Sequence, residues 1–332
     1  MIRRRSLFAA VLLGLLPGLL TACAEGEGGT AASAEGELRL DYAYYNPLSL
    51  VIRDQKWLEN DLKGVKVTWV ISAGSNKANE NLRGDTIDVG STAGAAALQA
   101  RANGTPIKTI AIYTQPEWAA LVVPKDSPIT KVSDLKGRKV AATKGTDPYF
   151  FLLQSLQEAG LGGSDVEVVN LQHADGRTAL ERGDVDAWAG LDPLMAQSQV
   201  DAGSQLIYRN PDFNSYGFLN AREDFLTEHP DLAQKVVDAY ERARAWVKEH
   251  PDEAVQLLAK EAKLTPEVAA LVLKERTKVD LSPVPGAEQR AVLERILPTL
   301  VKESQVRSEE EARTALDTLF APEFAEKAQA PS

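Results

Sequence analysis

The sequence predicts an α/β protein of two lobes with a ligand cleft between them, and three patterns carry that prediction. Short apolar runs alternate with amphipathic stretches from Leu38 to Tyr208, as strands and helices do when they build a mostly parallel sheet. The alternation runs through twice, and Leu82-Arg-Gly-Asp-Thr-Ile-Asp88 echoes Leu180-Glu-Arg-Gly-Asp-Val-Asp186 at a lobe-sized interval. Beyond Asp224 the chain turns to nearly continuous helix, expected to pack around the first lobe once the chain has returned from the second.

In order, residues 38–44 read as a strand and 47–62 as helix, through the spacing of Leu50, Val51, Trp57 and Leu58. Residues 65–71 alternate as a strand, 76–83 are helical, 87–92 form a strand and 93–102 an alanine-rich helix; 107–113 and 119–124 are strands. The second round is a strand at 139–142, a helix at 148–161 built on Phe151, Leu152, Leu156 and Leu161, and a strand at 166–171. A helix at 176–182, a strand at 185–189, a helix at 193–202 and a strand at 206–208 complete it. In the echoed segment each helix ends at a glycine, Gly84 or Gly183, where a left-handed cap is cheap. Helices are expected at 230–249, 251–261, 266–276, 285–300 and 308–320. Four of these open at or beside a proline, whose missing N–H costs nothing there. The expected division is 38–123 with 218–325 for the first lobe and 124–217 for the second. Crossing connections place a cleft at the carboxyl ends of both sheets, where open α/β folds bind ligands.

The amino-terminal segment reads as an address. Arg3, Arg4 and Arg5 precede an apolar run over 7–20, too short for the ~20 residues that span a bilayer but suited to a secretory signal. Leu20-Thr21-Ala22-Cys23 looks like a bacterial lipobox, so 1–22 is expected to be a signal peptide and Cys23 the lipidation site. Acyl chains anchor by burying methylenes at about 0.8 kcal/mol each. Cys23 is the single cysteine of the chain, which leaves no internal disulfide in an exported protein. Residues 24–36, small and polar, cannot build a core, and 23–37 is therefore expected to be a lipidated flexible tether.

The 332 residues carry a formal net charge of −10, which argues against nucleic acid as a partner through a broad basic surface. Catalytic chemistry has no positive signal. The histidines are His173, His229 and His250, and none is spaced with acids or Cys as a metal set requires. His229 and His250 each precede a proline at a helix start; His173, following a strand, is positioned to line a cleft. There is no Gly-x-Ser-x-Gly elbow and no phosphate-binding Gly-x-x-x-x-Gly-Lys. The acid pairs Asp85/Asp88 and Asp184/Asp186 sit at turns, where capping and solvation outweigh acid–base work.

Lys125-Asp-Ser-Pro-Ile-Thr-Lys-Val-Ser-Asp-Leu-Lys-Gly-Arg-Lys-Val-Ala141 resembles the aliphatic-sulfonate, taurine and nitrate binding proteins of ABC importers. Ile87-Asp-Val-Gly-Ser-Thr92, Gly183-Asp-Val-Asp-Ala-Trp188 with Asp192-Pro193, and Asp224-Phe-Leu-Thr-Glu-His-Pro230 agree in order. The resemblance implies a periplasmic-binding-protein-like type II fold, two Rossmann-like lobes closing on a small anionic solute. It also implies a monomeric, extracytoplasmic lipoprotein that serves an ABC permease and needs no cofactor. Helix N-termini hold anions through free N–H groups. The expected ones are Ser91-Thr92-Ala93, Ser72-Ala73-Gly74-Ser75 and Lys144-Gly145-Thr146. Tyr44, Tyr45, Asn46, Gln115, Trp118, Trp188, Asp192 and Tyr216 are the other candidate contacts, aromatics offering large area with a polar tip. The chain departs from the family at Ala43, where a Gln is usual, at Leu191, where an aromatic is usual, and at Asp147. Asp147 is expected either to cap a helix or, as a carboxylate at its positive end, to turn selection toward an amine or other donor. The alternative functions are an enzyme on the same fold, akin to pyrimidine-precursor synthases, or a ligand sensor.

Overall fold

The computed structural model describes residues 36–328. The first run of elements is β1 (Gly36–Tyr42), α1 (Pro47–Gln55), α2 (Trp57–Asp61), β2 (Val65–Ile71), α3 (Ser75–Arg83), β3 (Val89–Ala93), α4 (Gly94–Ala102) and β4 (Ile107–Pro116). The second is β5 (Ala119–Val123), β6 (Lys139–Ala142), α5 (Asp147–Glu158), β7 (Glu167–Asn170), α6 (His173–Arg182), β8 (Ala187–Leu191), α7 (Leu194–Ala202) and β9 (Gln205–Tyr208). The chain returns through β10 (Gly217–Arg222). It ends in α8 (Glu223–Glu228), α9 (Pro230–Glu249), α10 (Pro251–Ala262), α11 (Pro266–Ala270), β11 (Thr277–Lys278), α12 (Ala287–Lys302), α13 (Glu309–Thr318) and α14 (Glu323–Glu326).

Two sheets result, one of order β11-β4-β10-β3-β1-β2 and one of order β7-β6-β8-β5-β9. Each has a parallel heart, β2-β1-β3 in the first and β7-β6-β8 in the second. Against the expectation of mostly parallel sheets, β10 runs antiparallel to β3 and β4, and β5 antiparallel to β8 and β9. The reason is the route of the chain. β5 follows the outward crossing and β10 the return crossing, so both enter their sheets from the end where the parallel strands finish. β5 accordingly belongs to the second sheet, whereas the sequence division at 123 had put it in the first lobe. β10 and β11 were not foreseen.

The echo at Asp88 and Asp186 has one physical role in both halves. Asp88 Oδ2 accepts the Arg39 N–H at 2.8 Å, and Asp186 Oδ2 accepts that of Lys139 at 2.9 Å. Each aspartate thereby fixes the middle strand of the parallel heart of its sheet, β1 at its midpoint and β6 at its first residue. The turns differ in detail: Gly183 is left-handed with φ 78°, but in the first copy Asp85 takes the left-handed conformation at φ 56°, which short polar side chains tolerate.

Trp188, Tyr113, Tyr240, Phe150, Phe151 and Phe218 are the largest fully buried side chains. α9 and α10 pack on α1 and α13 on α4, as expected of helices around the first lobe; α12 touches both α4 and α5 and so bridges the lobes. Prolines open α9, α10 and α11. The helix expected over 266–276 changes after Ala270 into a π-helical turn. No described helix is long and apolar enough to cross a membrane.

Candidate functional site

A cavity of about 180 Å³ lies between the two sheets, smaller than the ~300–1,000 Å³ of drug-sized sites. Tyr44, Tyr45, Ile71, Ser72 and Ala73 wall it from the first lobe; Gln172, His173, Ala174 and Leu191 through Leu194 wall it from the second. All sit just beyond or at the carboxyl ends of β1, β2, β7 and β8. A groove of about 420 Å³ by Arg101, Glu223 and Thr314 is larger, but it lies within the first lobe.

The walls are mainly carbon, and the polar atoms among them are few. Two helices start at the cavity without a side-chain hydrogen bond on their N-terminal N–H groups: α3, with Gly74 as its N-cap, and α6, with Gln172. Gly74 and His173 touch across the lobes. A Cβ on Gly74 would stand 2.9 Å from His173 Nε2 and from Asn76 Oδ1. His173 is buried, its Nδ1 is 3.1 Å from Thr143 Oγ1, and its Nε2 has no partner. Burial pushes its pKa down to about 3. Ser72 Oγ lies close to the Asp41 carboxyl, yet neither it nor Asp41 Oδ2 has a partner of regular geometry. Asp41 Oδ1 accepts from the Ser91 N–H and hydroxyl, and burial still pushes its pKa up to about 7.

Asp192 carries no spare charge into the cavity. Its carboxylate meets Arg276 Nη1 at 3.1 and 3.2 Å and takes the Ala196 N–H at 2.9 Å. Both residues are buried, and Arg276 Nη2 also reaches Gln199 Oε1. Burial pushes the Asp192 pKa up to about 6 despite the guanidinium. This ion pair joins the second lobe to the segment before β11 of the first.

Of the residues expected at the site, Tyr44, Tyr45, Ser72, Ala73, His173 and Asp192 line the cavity, and Gly74 stands against His173. The others are placed elsewhere. Asn46 caps α1 and donates to Tyr240 Oη. Ser75 Oγ accepts the Ala93 N–H, Ser91 serves Asp41, and Thr92 Oγ1 donates to the Ala93 carbonyl and accepts from Asn220. Gln115 is exposed in β4. Trp188 is fully buried with Leu180 and Met195 in a core cluster of the second lobe. Tyr216 Oη points to Glu288, and Thr146 Oγ1 donates to the Thr143 carbonyl.

Asp147 is neither the cap nor a cavity wall. Thr146 is the N-cap of α5, and Asp147 is its first residue. Its buried carboxylate accepts Trp118 Nε1–H at 2.8 Å, the Ser215 N–H at 2.7 Å and the Ser215 hydroxyl at 2.6 Å. Trp118 lies on the outward crossing and Ser215 on the return, so one side chain of the second lobe ties both. Ser215 Oγ also accepts the Ala95 N–H of α4 at 3.1 Å, and Trp118 packs edge-on against Tyr45 at 5.9 Å.

Sequence reasoning missed Gln172, Ile71, Pro193, Leu194 and Arg276. Leu191 was noted only as a departure. The signal that could have found the second-lobe wall was position: each of its residues lies at or just after the end of a strand of the parallel heart.

The sequence profile of the NMT1/THI5-like family matches residues 61–254. A protein of Escherichia coli K12 named for aliphatic sulfonate binding is 30% identical over 256 residues, covering 76% of this chain and 80% of that one. The periplasmic aliphatic sulphonate binding protein SsuA of Escherichia coli superposes with a TM-score of 0.73 at 27% identity, covering 86% of this chain and 92% of that one. The alkanesulfonate-binding protein SsuA of Xanthomonas axonopodis pv. citri, bound to MOPS, gives 0.76 at 24% identity over 84% and 97% of the chains, a likeness of fold.

Proposed function

Because the chain belongs to the NMT1/THI5-like family, we propose that it is the solute-capturing component of an ABC importer and that its solute is a small organic sulfonate. One observation carries the choice of ligand: α3 and α6, one from each lobe, open without side-chain caps at one small, mainly apolar cavity. Free N–H groups and the positive ends of two helices favour an anion there. The carbon walls of Tyr44, Tyr45, Leu191 and Leu194 suit a short organic body. The one nearby guanidinium, Arg276, is already engaged by Asp192, so the anion is held by backbone dipoles. Capture is read as closure of the second lobe on the first about the crossings at 117–118 and 209–216.

The protein is read as extracytoplasmic, exported by residues 1–22 and tethered through a lipid on Cys23, positions outside the described residues. Cys23→Ser should move the protein from the membrane fraction to the soluble one; a variant still membrane-bound would remove the anchor from the proposal. The solute is tested by thermal shift against alkanesulfonates, taurine and MOPS. A ligand at a hundred times its Kd adds about 2.7 kcal/mol, a shift of several degrees. No shift with any sulfonate would overturn the ligand class, and turnover of one would replace capture by the enzyme reading.

A further inference from the structure

Asp41, near the carboxyl end of β1, is a buried carboxyl that no cation meets. Its side chain is 1% exposed, and the titratable groups that face it are phenols: Tyr45 of the cavity wall, Tyr113 of β4 and Tyr240 of α9. Burial keeps all three protonated, so none supplies a counter-charge. The two carboxyl oxygens have different surroundings. Oδ1 accepts the Ser91 N–H at 2.9 Å and the Ser91 hydroxyl at 3.0 Å, and Tyr45 Oη–H donates to the Ser91 carbonyl at 3.0 Å. Oδ2 has no such partner, and the remaining polar neighbour of the carboxyl is Ser72 Oγ, itself unpartnered in a residue 2% exposed. Ser72 also lines the cavity and stands two residues before Gly74, the N-cap of α3, whose N–H groups carry no side-chain cap. An anion at that helix end lies beside the Ser72 hydroxyl.

A serine hydroxyl has one proton to give. With Asp41 ionised, that proton goes to Oδ2, and Ser72 turns lone pairs toward the cavity. With Asp41 protonated, the acid proton sits on Oδ2, since Oδ1 already accepts two donors, and it is given to Ser72 Oγ. The serine proton is then free to point into the cavity. Only the second arrangement presents an anion with a donor, and only there does the anion avoid a buried, uncompensated carboxylate. We propose that Asp41 and Ser72 couple capture of the anion to the uptake of one proton, which passes from solvent to Asp41 Oδ2 as the solute is bound. The inference rests on reading this cavity as the anion site, and it adds to the backbone dipoles one hydroxyl donor whose direction Asp41 sets. Asp41 is a positioning residue, acting on the cavity through Ser72. Burial holds its pKa at about 7 in the free protein, and a bound anion raises it further. Affinity is therefore full below about pH 7 and is lost as pH rises through it, by up to about tenfold per pH unit.

The test is calorimetric titration of the wild-type protein with ethanesulfonate and with nitrate, anions of strong acids that stay ionised throughout. It runs from about pH 5.5 to about pH 8.5, in buffers that are not themselves sulfonates. Affinity should be level at the acid end and fall about tenfold or more by the alkaline end. Repeating the titration above neutrality in two buffers of different ionisation enthalpy should show uptake of up to about one proton per solute. Asp41→Asn places an amide N–H on Ser72 Oγ, as the protonated acid does. At the alkaline end it should bind about tenfold tighter than the wild type and take up no proton. Ser72→Ala removes the donor and should bind more weakly than the wild type at the acid end, with a shallower slope. Wild-type affinity independent of pH, with no proton uptake, would overturn the inference and leave the sulfonate reading standing. A folded Asp41→Asn variant that keeps the wild-type slope would do the same. Nitrate bound with the expected slope where ethanesulfonate does not bind would sustain the proton linkage and remove the sulfonate. Failure of both anions at every pH would overturn both.

Discussion

Replacing Asp147 separates a structural strut from a selectivity residue. Its carboxylate is 1% exposed and serves three donors, with Trp118 Nε1–H and the Ser215 N–H both on Oδ2 and the Ser215 hydroxyl on Oδ1. Asp147→Ala leaves the two N–H groups buried and unpaired, at about 1–3 kcal/mol each, so the loss should be about 2–6 kcal/mol. That is a large part of the ~5–15 kcal/mol that holds a typical domain. Asp147→Asn can keep its oxygen at the Oδ2 position, retain both N–H bonds, and turn its amide toward Ser215 Oγ. It should cost no more than about 1 kcal/mol. Burial raises the Asp147 pKa, the three hydrogen bonds only partly opposing it. The native state therefore holds the proton more tightly than the unfolded chain, and the wild type loses stability as pH rises from near the unfolded value of about 3.9 through the higher folded one. The Asn variant lacks that loss, so its stability relative to wild type should improve with rising pH. Urea unfolding followed by tryptophan fluorescence reads all three proteins. An Ala variant within 1 kcal/mol of wild type, or an Asn variant as unstable as Ala, would refute the strut. Because Asp147 does not line the cavity, Asn should also leave the rank order of ligands unchanged.

Three further outcomes follow from the same geometry. Arg276→Met strands the buried Asp192 carboxylate and should cost about 3–5 kcal/mol near neutral pH. The cost should be smaller at pH 5 than at pH 8, because Asp192 already titrates at about 6 and takes up a proton more readily once its partner is gone; equal losses at both would argue against the ion pair. Asp41, whose folded pKa of about 7 lies above its unfolded value, should weaken the wild type relative to Asp41→Asn as pH rises from about 4 to 7, by up to about 1.4 kcal/mol per pH unit. Parallel stability profiles for the two proteins would refute it. Gly74→Ala would set a Cβ 2.9 Å from the stiff His173 ring, at a backbone φ of 166° that alanine adopts freely. Solute affinity should fall about tenfold with stability little changed, and undiminished affinity would show that the lobes need not meet there.

The alternation of strand and helix was legible in the sequence because periodicity, proline starts and glycine ends are local signals. So were Tyr44, Tyr45, Ser72 and Asp192, since each lies near the carboxyl end of a recognisable strand. The echo at Asp88 and Asp186 was visible too, although its meaning, a carboxylate pinning the middle strand of each parallel heart, required the strands to be in place. What the sequence left open depends on contacts between distant residues. Asp147 meets Ser215 across 68 positions, and Arg276 meets Asp192 across 84. No local pattern distinguishes a carboxylate that caps its own helix from one that ties two crossing segments. Nor does any pattern state which sheet β5 joins, since an antiparallel strand entering from a crossing has the same apolar composition as a parallel one.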